Sequence, residues 1–304
     1  MFGISTSWKS EILDQGLKII EAILELGVDK VELEYRLTSP MLAEILPLIR
    51  EKRVGVLSLH HPFPLPEGVP RDKADGDVFS LSSLDQEERF AAVKWAKRTL
   101  EWAEKLEVQA VILHMGRVAM NDPMKILKNL FDKKKIATEE GREAIATQKA
   151  VRAQREGKYL DAALHSLEKL AKEAEKRNIL LGLENRGNIQ EIPDFQELSV
   201  FLEEFAGGPV FYWHDIGHAT IQEKLGVLPA GKWLKSFHAN LIGVHLHGCR
   251  GYDDHKAPGS GEEDYSLLKK FLRPEVLRIV ETHHRSSPEE LSRGLDFLRA
   301  EGII

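Results

Sequence analysis

A single cysteine, Cys249, stands in 304 residues. That excludes an intrachain disulfide and a cysteine-rich zinc site, and it fits a reducing cytosol, so a cytoplasmic protein is expected. Long hydrophobic runs are missing as well. No stretch approaches the roughly 18–20 apolar residues that a membrane span needs. The opening MFGISTSWKS lacks the charged-then-apolar pattern of a secretion signal. Positive charge is not in excess: the formal net charge is −6. This argues against nucleic acid as a partner, unless a local basic patch supplies the contact. No G-x-G-x-x-G follows an apolar segment, so a dinucleotide-binding doubly wound sheet loses its main signature. What is present is 42% hydrophobic and 30% charged, the composition of a globular chain long enough for one large barrel or two modest domains.

Short apolar segments alternate with amphipathic ones along almost the whole chain. Strands are expected at 2–6, 30–35, 53–60, 108–114, 179–184, 209–215, 241–247 and 276–282. Apolar residues at helical spacing lie between them, at 11–26, 40–51, 85–106, 194–205 and about 288–299. Gly27 closes the first helix. Ser83 with Gln86, and Ser287 with Glu290, read as capping boxes, the second with Pro288 at the first helical position. Residues 63–82 are rich in Pro, Gly and Asp and read as a long loop of the kind that is usually functional. Residues 117–177 interrupt the rhythm with a helical insertion after the fourth strand. Its fifteen Lys and Arg against ten Asp and Glu make it the one candidate for an anionic partner, although a solvated helical face is the simpler reading. Eight strands separated by helices predict a single-domain α/β protein, a (β/α)8 TIM barrel over residues 1–304.

The densest chemistry lies in 244–261, VHLHGCRGYDDHKAPGSG. Imidazole nitrogen and carboxylate oxygen are the donors that zinc, manganese and similar ions take. Period-two alternation puts His245 and His247 on one strand face, and Asp253-x-His255 can aim two ligands from one loop. In a barrel the C-terminal ends of all the strands meet at one mouth. The third strand brings His60 or His61 there, and the spacing to Pro62-Phe63 favours His60. The fourth brings His114, the fifth Glu184, the sixth Asp215 and His218. The seventh brings His245, with Asp253 and His255 in its loop, and the eighth Glu281. Each has an ordinary explanation alone, such as Glu184 pairing with Arg186 or Glu281 with Arg285. Burying them together without an ion would be costly.

In this order the motifs Leu59-His60-His61-Pro62-Phe63, Leu113-His114-Met115-Gly116, Leu183-Glu184-Asn185, Asp215-Ile216-Gly217-His218, His245-Leu246-His247, Asp253-Asp254-His255 and Val280-Glu281-Thr282 are specific. The chain resembles the xylose isomerase-like TIM-barrel superfamily, which holds sugar isomerases and epimerases and also endonuclease IV. The first branch implies one divalent ion, zinc or manganese, on Glu184, Asp215, His245 and Glu281. Glu184 and Glu281 would then serve as base and acid through an enediolate, and His218 with Arg250 or Arg186 would hold a sugar or sugar phosphate. The second branch implies up to three zinc ions on His60, His114, Glu184, Asp215, His218, His245, Asp253, His255 and Glu281, and phosphodiester cleavage. Gly116-Arg117-Val118 without a Pro-Gly turn, Pro62-Phe63-Pro64, His247 in place of asparagine and the absence of wedge loops in 35–40 depart from the nuclease. The position of an acidic residue near Gln190-Glu191 departs from the isomerases. The expectation is therefore a metal-dependent isomerase or epimerase of a small carbohydrate, with a multinuclear zinc phosphodiesterase and a non-catalytic binding barrel as alternatives. Homo-oligomerisation is left open.

Overall fold

The computed structural model describes residues 1–304. Eight parallel strands close into a barrel: β1 (Phe2–Ser5), β2 (Lys30–Leu33), β3 (Gly55–His60), β4 (Ala110–Leu113), β5 (Leu180–Glu184), β6 (Val210–Asp215), β7 (Leu241–Leu246) and β10 (Leu277–Val280). β10 pairs with both β7 and β1 and so closes the ring. Between β7 and β10 lies an antiparallel hairpin, β8 (Gly248–Arg250) and β9 (Asp253–Lys256), where the sequence reading had only a loop.

Alternation along each strand separates two environments. Val31, Leu33, Leu59, Val111, Leu113, Leu181, Leu183, Val244, Leu246 and Val280 point outward into the main core against the surrounding helices. Their neighbours point inward. Ala110, Ile112, Trp213 and Ile279 fill the interior near the strand starts. Trp213 fits because its neighbours on the flanking strands β5 and β7 are glycines. A Cβ at Gly243 would come 2.1 Å from the indole, and one at Gly182 would come 3.0 Å from it. One or two residues further along, the same inward rows carry His60, His114, Glu184, Asp215, His245 and Glu281. The apolar floor is thus what raises the polar row to the mouth.

The helices follow the expected periodicity with shorter ends. Gly16–Leu24 begins five residues later than its apolar pattern. The helix Gln86–Lys105 is capped by Asp85, which accepts from the amides of Glu87 (2.8 Å) and Glu88 (3.3 Å), not by Ser83. The capping box at Ser287 and Glu290 forms as read. The insertion resolves into three parts. Glu156–Lys176 is the ordinary barrel helix between β4 and β5, while Pro123–Asp132 and Glu139–Ala153 are additional. The added pair builds a small second core from Met124, Leu127 and Ile145 with Ile189, Ile221, Leu225 and Cys249. That core joins them to the segments following β5, β6 and β7, on the mouth side of the barrel. No helix is long and apolar enough to cross a membrane.

Candidate metal centre at the barrel mouth

His245 sits at the middle of the mouth. Its Nδ1 faces three carboxylates: Glu281 at 3.1 Å, Glu184 at 3.3 Å and Asp215 at 3.7 Å. Its Nε2 lies 3.3 Å from Glu32, which is fully buried on β2 and also accepts from the Ser58 hydroxyl at 2.7 Å. One ring proton cannot satisfy three carboxylates. A divalent ion among Glu184, Asp215, His245 and Glu281 would, and donor atoms of these four lie within 4.8 Å of one another. Glu32 would then hold the far ring nitrogen, as the outer partners of metal-bound imidazoles do.

Two further donor groups adjoin this one. His60, His114 and Glu184 form the first, with Nε2 of His114 2.9 Å and Nε2 of His60 3.5 Å from the same Glu184 oxygen. His218, Asp254 and His255 form the second; the Asp254 carboxylate is 3.9 Å from His218 and 3.8 Å from His255. Glu184 is shared by the central group and by that of His60 and His114. His218, 3.3 Å from Glu184 and 3.6 Å from Asp215, links its own group to both. A further set, His247, His255 and Glu281, shares Glu281 with the centre. His247 lies 2.9 Å from Asp215 and accepts the His255 amide on Nδ1, so its remaining ring N–H donates to the Asp215 carboxylate.

The electrostatics reflect a surplus of buried acid. Glu32, Glu184, Glu191, Asp215 and Glu281 are all buried, and Arg186 is the buried guanidinium among them. Burial would push the Glu184 carboxyl up, but hydrogen bonds from His114, His218, His245 and His60 hold it well below the usual range. Asp215 is likewise held down against burial, by His218 and His247. Burial acts against charge on His218, yet Asp215 and Glu184 drive it up to about 10. His114 goes the other way, to about 3, through burial and the neighbouring Arg186. With no ion present, protonated histidines are the counter-charge. Donors of this kind in these numbers fit divalent cations.

The structure brings together His60, His114, Glu184, Asp215, His218, His245, His255 and Glu281. His61 points away and packs on the Thr99 hydroxyl at 3.2 Å, so His60 is the inward one. Asp253 does not join. It is half-exposed and paired with Lys256 (2.6 Å) and Arg285 (3.0 Å), and Asp254 takes the place expected of it. The reason is local: His255 adopts a left-handed backbone, φ 52°, which breaks the simple i, i+2 alternation of the hairpin. Arg250 also lies outside. It is exposed, donates to the Ser260 carbonyl at 3.0 Å, and lines a cavity of about 600 Å³ with Lys256, Arg285 and Arg293 beside the hairpin. Arg186 is inside, against His114, Glu184 and Glu191. Sequence reading passed over Glu32 and Asp77, named Glu191 only as an acidic residue departing from the isomerase pattern, and placed Asp253 rather than Asp254 among the ligands. The alternation of Lys30–Leu33 could have flagged Glu32, because in a barrel the polar face of a strand turns inward.

A closed ring of eight parallel strands with surrounding helices places the chain among the (β/α)8 TIM barrels. More narrowly, the chain belongs to the xylose isomerase-like TIM barrel family, whose profile matches residues 20–301. No curated protein sequence matches it. Among solved structures it is similar to a D-tagatose 3-epimerase-like protein (TM-score 0.67, 19% identity, 99% of this chain and 96% of that one). It is similar also to 3-keto-D-glucoside 4-epimerase from E. coli (0.66, 15%, 98% and 98%) and to D-psicose 3-epimerase from Clostridium cellulolyticum (0.65, 17%, 98% and 98%). At these identities the likeness establishes the fold.

Proposed function

We propose that the protein is a divalent-metal-dependent isomerase or epimerase of a small carbohydrate. The observation that carries this reading is the convergence of Glu184, Asp215, His245 and Glu281 on one point. The ion they would hold supplies a Lewis acid for adjacent sugar oxygens and offsets the charge of an enediolate. The chain's own residues do the rest. Glu184 and Glu281 come from β5 and from the end of β10, and both reach the same ring nitrogen of His245. They can therefore address a substrate carbon from two sides, one carboxylate removing a proton and the other returning one. His218 and Arg186, at the rim of this point, would hold hydroxyls. Arg250, with Lys256, Arg285 and Arg293 in the cavity beside the hairpin, would offer a place for an anion such as a phosphate. The solved epimerases of the same fold support the substrate class. The test is a ketose and ketose-phosphate panel in deuterated water with zinc- or manganese-loaded protein. Epimerisation with deuterium gained at the reacting carbon is expected, and its absence across the panel overturns the reading.

A second reading rests on a specific observation. Within the two further donor groups, His60–His114–Glu184 and His218–Asp254–His255, the side chains of His60, His114, Asp254 and His255 have no task in a one-metal proton transfer. Three adjoining cations suit phosphodiester cleavage, where they would activate a hydroxide and stabilise the leaving oxygen. Metal analysis separates the two: one ion per chain supports isomerisation, while three zinc ions with turnover of a small phosphodiester support hydrolysis.

A further inference from the structure

The long loop after β3 reaches the mouth through one turn, Asp75-Gly76-Asp77, and this turn rests on His114. The Asp77 side chain is buried, and neither of its oxygens has a hydrogen-bond partner. Nδ1 of His114 is also buried and unpartnered. The two face each other at 3.8 Å. Gly76 lies against the imidazole so closely that a Cβ there would come 2.4 Å from Nδ1 and 2.6 Å from Cε1. Arg117, just beyond β4, anchors the loop from the other side. Its amide donates to the Ser82 hydroxyl at 3.0 Å, and its guanidinium lies 3.9 Å from Asp75 and 3.7 Å from Asp77.

The other ring nitrogen has two neighbours. Nε2 of His114 lies between the Arg186 guanidinium, which can only donate, and a Glu184 carboxylate oxygen at 2.9 Å, which can only accept. A cation held with His60 and Glu184 would take the Nε2 lone pair and leave the ring proton on Nδ1, directed at Asp77.

We propose that Asp77 is a positioning residue for His114: it accepts the Nδ1 proton and so aims Nε2 at the ion held with His60 and Glu184. A neutral imidazole that gives one nitrogen to a metal must keep its proton on the other, and an acceptor for that proton fixes the ring. Asp75, Asp77 and His114 also lie close enough to hold a cation of their own. Arg117 already occupies the face of both carboxylates, and a cation on Nδ1 would cost the ring its proton, so orientation is the role the geometry favours. This inference rests on the reading of the mouth as a metal centre.

The experiment is zinc affinity by chelator competition, with zinc counted per chain, on the parent and on Asp75→Asn, Asp77→Leu, Asp77→Asn and Gly76→Ala. Asp77→Leu should weaken one zinc by 10- to 100-fold, the usual range for outer-shell loss, and Asp77→Asn, which keeps an acceptor oxygen, should recover to within about threefold of the parent. Gly76→Ala should weaken it as Leu does, with the carboxylate still present. In chelator Asp77→Leu should melt no lower than the parent, because without an ion neither Asp77 oxygen makes a hydrogen bond and Arg117 stands off at 3.7 Å. Unchanged zinc affinity in Asp77→Leu, or the loss of one counted ion in both Asp75→Asn and Asp77→Leu, overturns the role. A parent that binds no divalent ion overturns the metal reading itself, which separates the two failures.

Discussion

Glu184 is the residue on which the most interactions at the mouth depend, with His60, His114, His218, His245 and Arg186 all directed at it. Glu184→Gln or Glu281→Gln should therefore lower turnover by at least about 10²- to 10⁴-fold, the range for loss of a general acid or base, whatever substrate the panel yields. Near-parental rates in either variant would remove that role. The hairpin offers a cleaner contrast. Asp254→Asn should weaken metal binding and Asp253→Asn should leave it unchanged, read by chelator competition. That pair also shows what a sequence withholds. Two adjacent aspartates look equivalent, and only the left-handed turn at His255 decides which one faces the donors. Glu32 was legible by contrast: once the sheet is read as a closed barrel, the polar side of the Lys30–Leu33 alternation has to face inward. Asp77 lies in a loop without periodicity, so no pattern could place it.

His61, one residue from the cluster, gives a pH prediction. Burial, reinforced by nearby His60, pushes it down to about 3 from an ordinary 6.5. Between those values the unfolded chain binds a proton that the folded chain does not, so stability rises with pH across that window. The contribution is complete above about pH 6.5 and is lost as pH falls towards 3. His61→Gln should flatten that acid slope in urea titrations at several pH values. An unchanged slope would show that His61 is not its source.

At the scale of elements, the (β/α) rhythm was legible because barrel strands and helices each carry one clear apolar face. The hairpin was not, since β8 and β9 are only three and four residues long and largely polar. The insertion was recognised as helical, but its last part is an ordinary barrel helix, which composition alone cannot distinguish from added structure. Arg152 shows how the added helices are tied down. Its side chain is buried and binds Glu197 at 2.6 Å and Asp194 at 3.2 Å, at the start of the helix Phe195–Glu204. Arg152→Met leaves the buried Glu197 carboxylate without its counter-charge, with only the Asp194 amide donating to it, and should cost about 3–5 kcal/mol in urea unfolding. A loss below about 1 kcal/mol, the scale of an exposed pair, would show that the insertion is held mainly by its apolar core.

For the whole molecule, the acid surplus at the mouth couples stability to metal. Each ion that binds only the folded chain adds about 2.7 kcal/mol when its free concentration is a hundred times its dissociation constant. Calorimetry should therefore show a melting temperature that falls by several degrees on chelation and returns with added zinc or manganese, since about 1 kcal/mol corresponds to roughly 2–4 °C for a chain of this order. A melting curve indifferent to chelator would count against every metal-dependent role proposed for the mouth. Which substrate reaches it was beyond the reach of sequence for a physical reason: this barrel's strand ends define donors, while specificity belongs to loops whose paths depend on distant contacts.

Trp213, the indole beneath the polar row, has its ring 5.2 Å from that of His245, edge to face. The protein thus carries a native optical probe directly under the proposed metal position. Its emission should respond when a paramagnetic ion such as manganese arrives, and Trp213→Phe should silence that response while the other four tryptophans keep their signal. Occupancy could then be followed in real time in unlabelled protein, before any substrate is known.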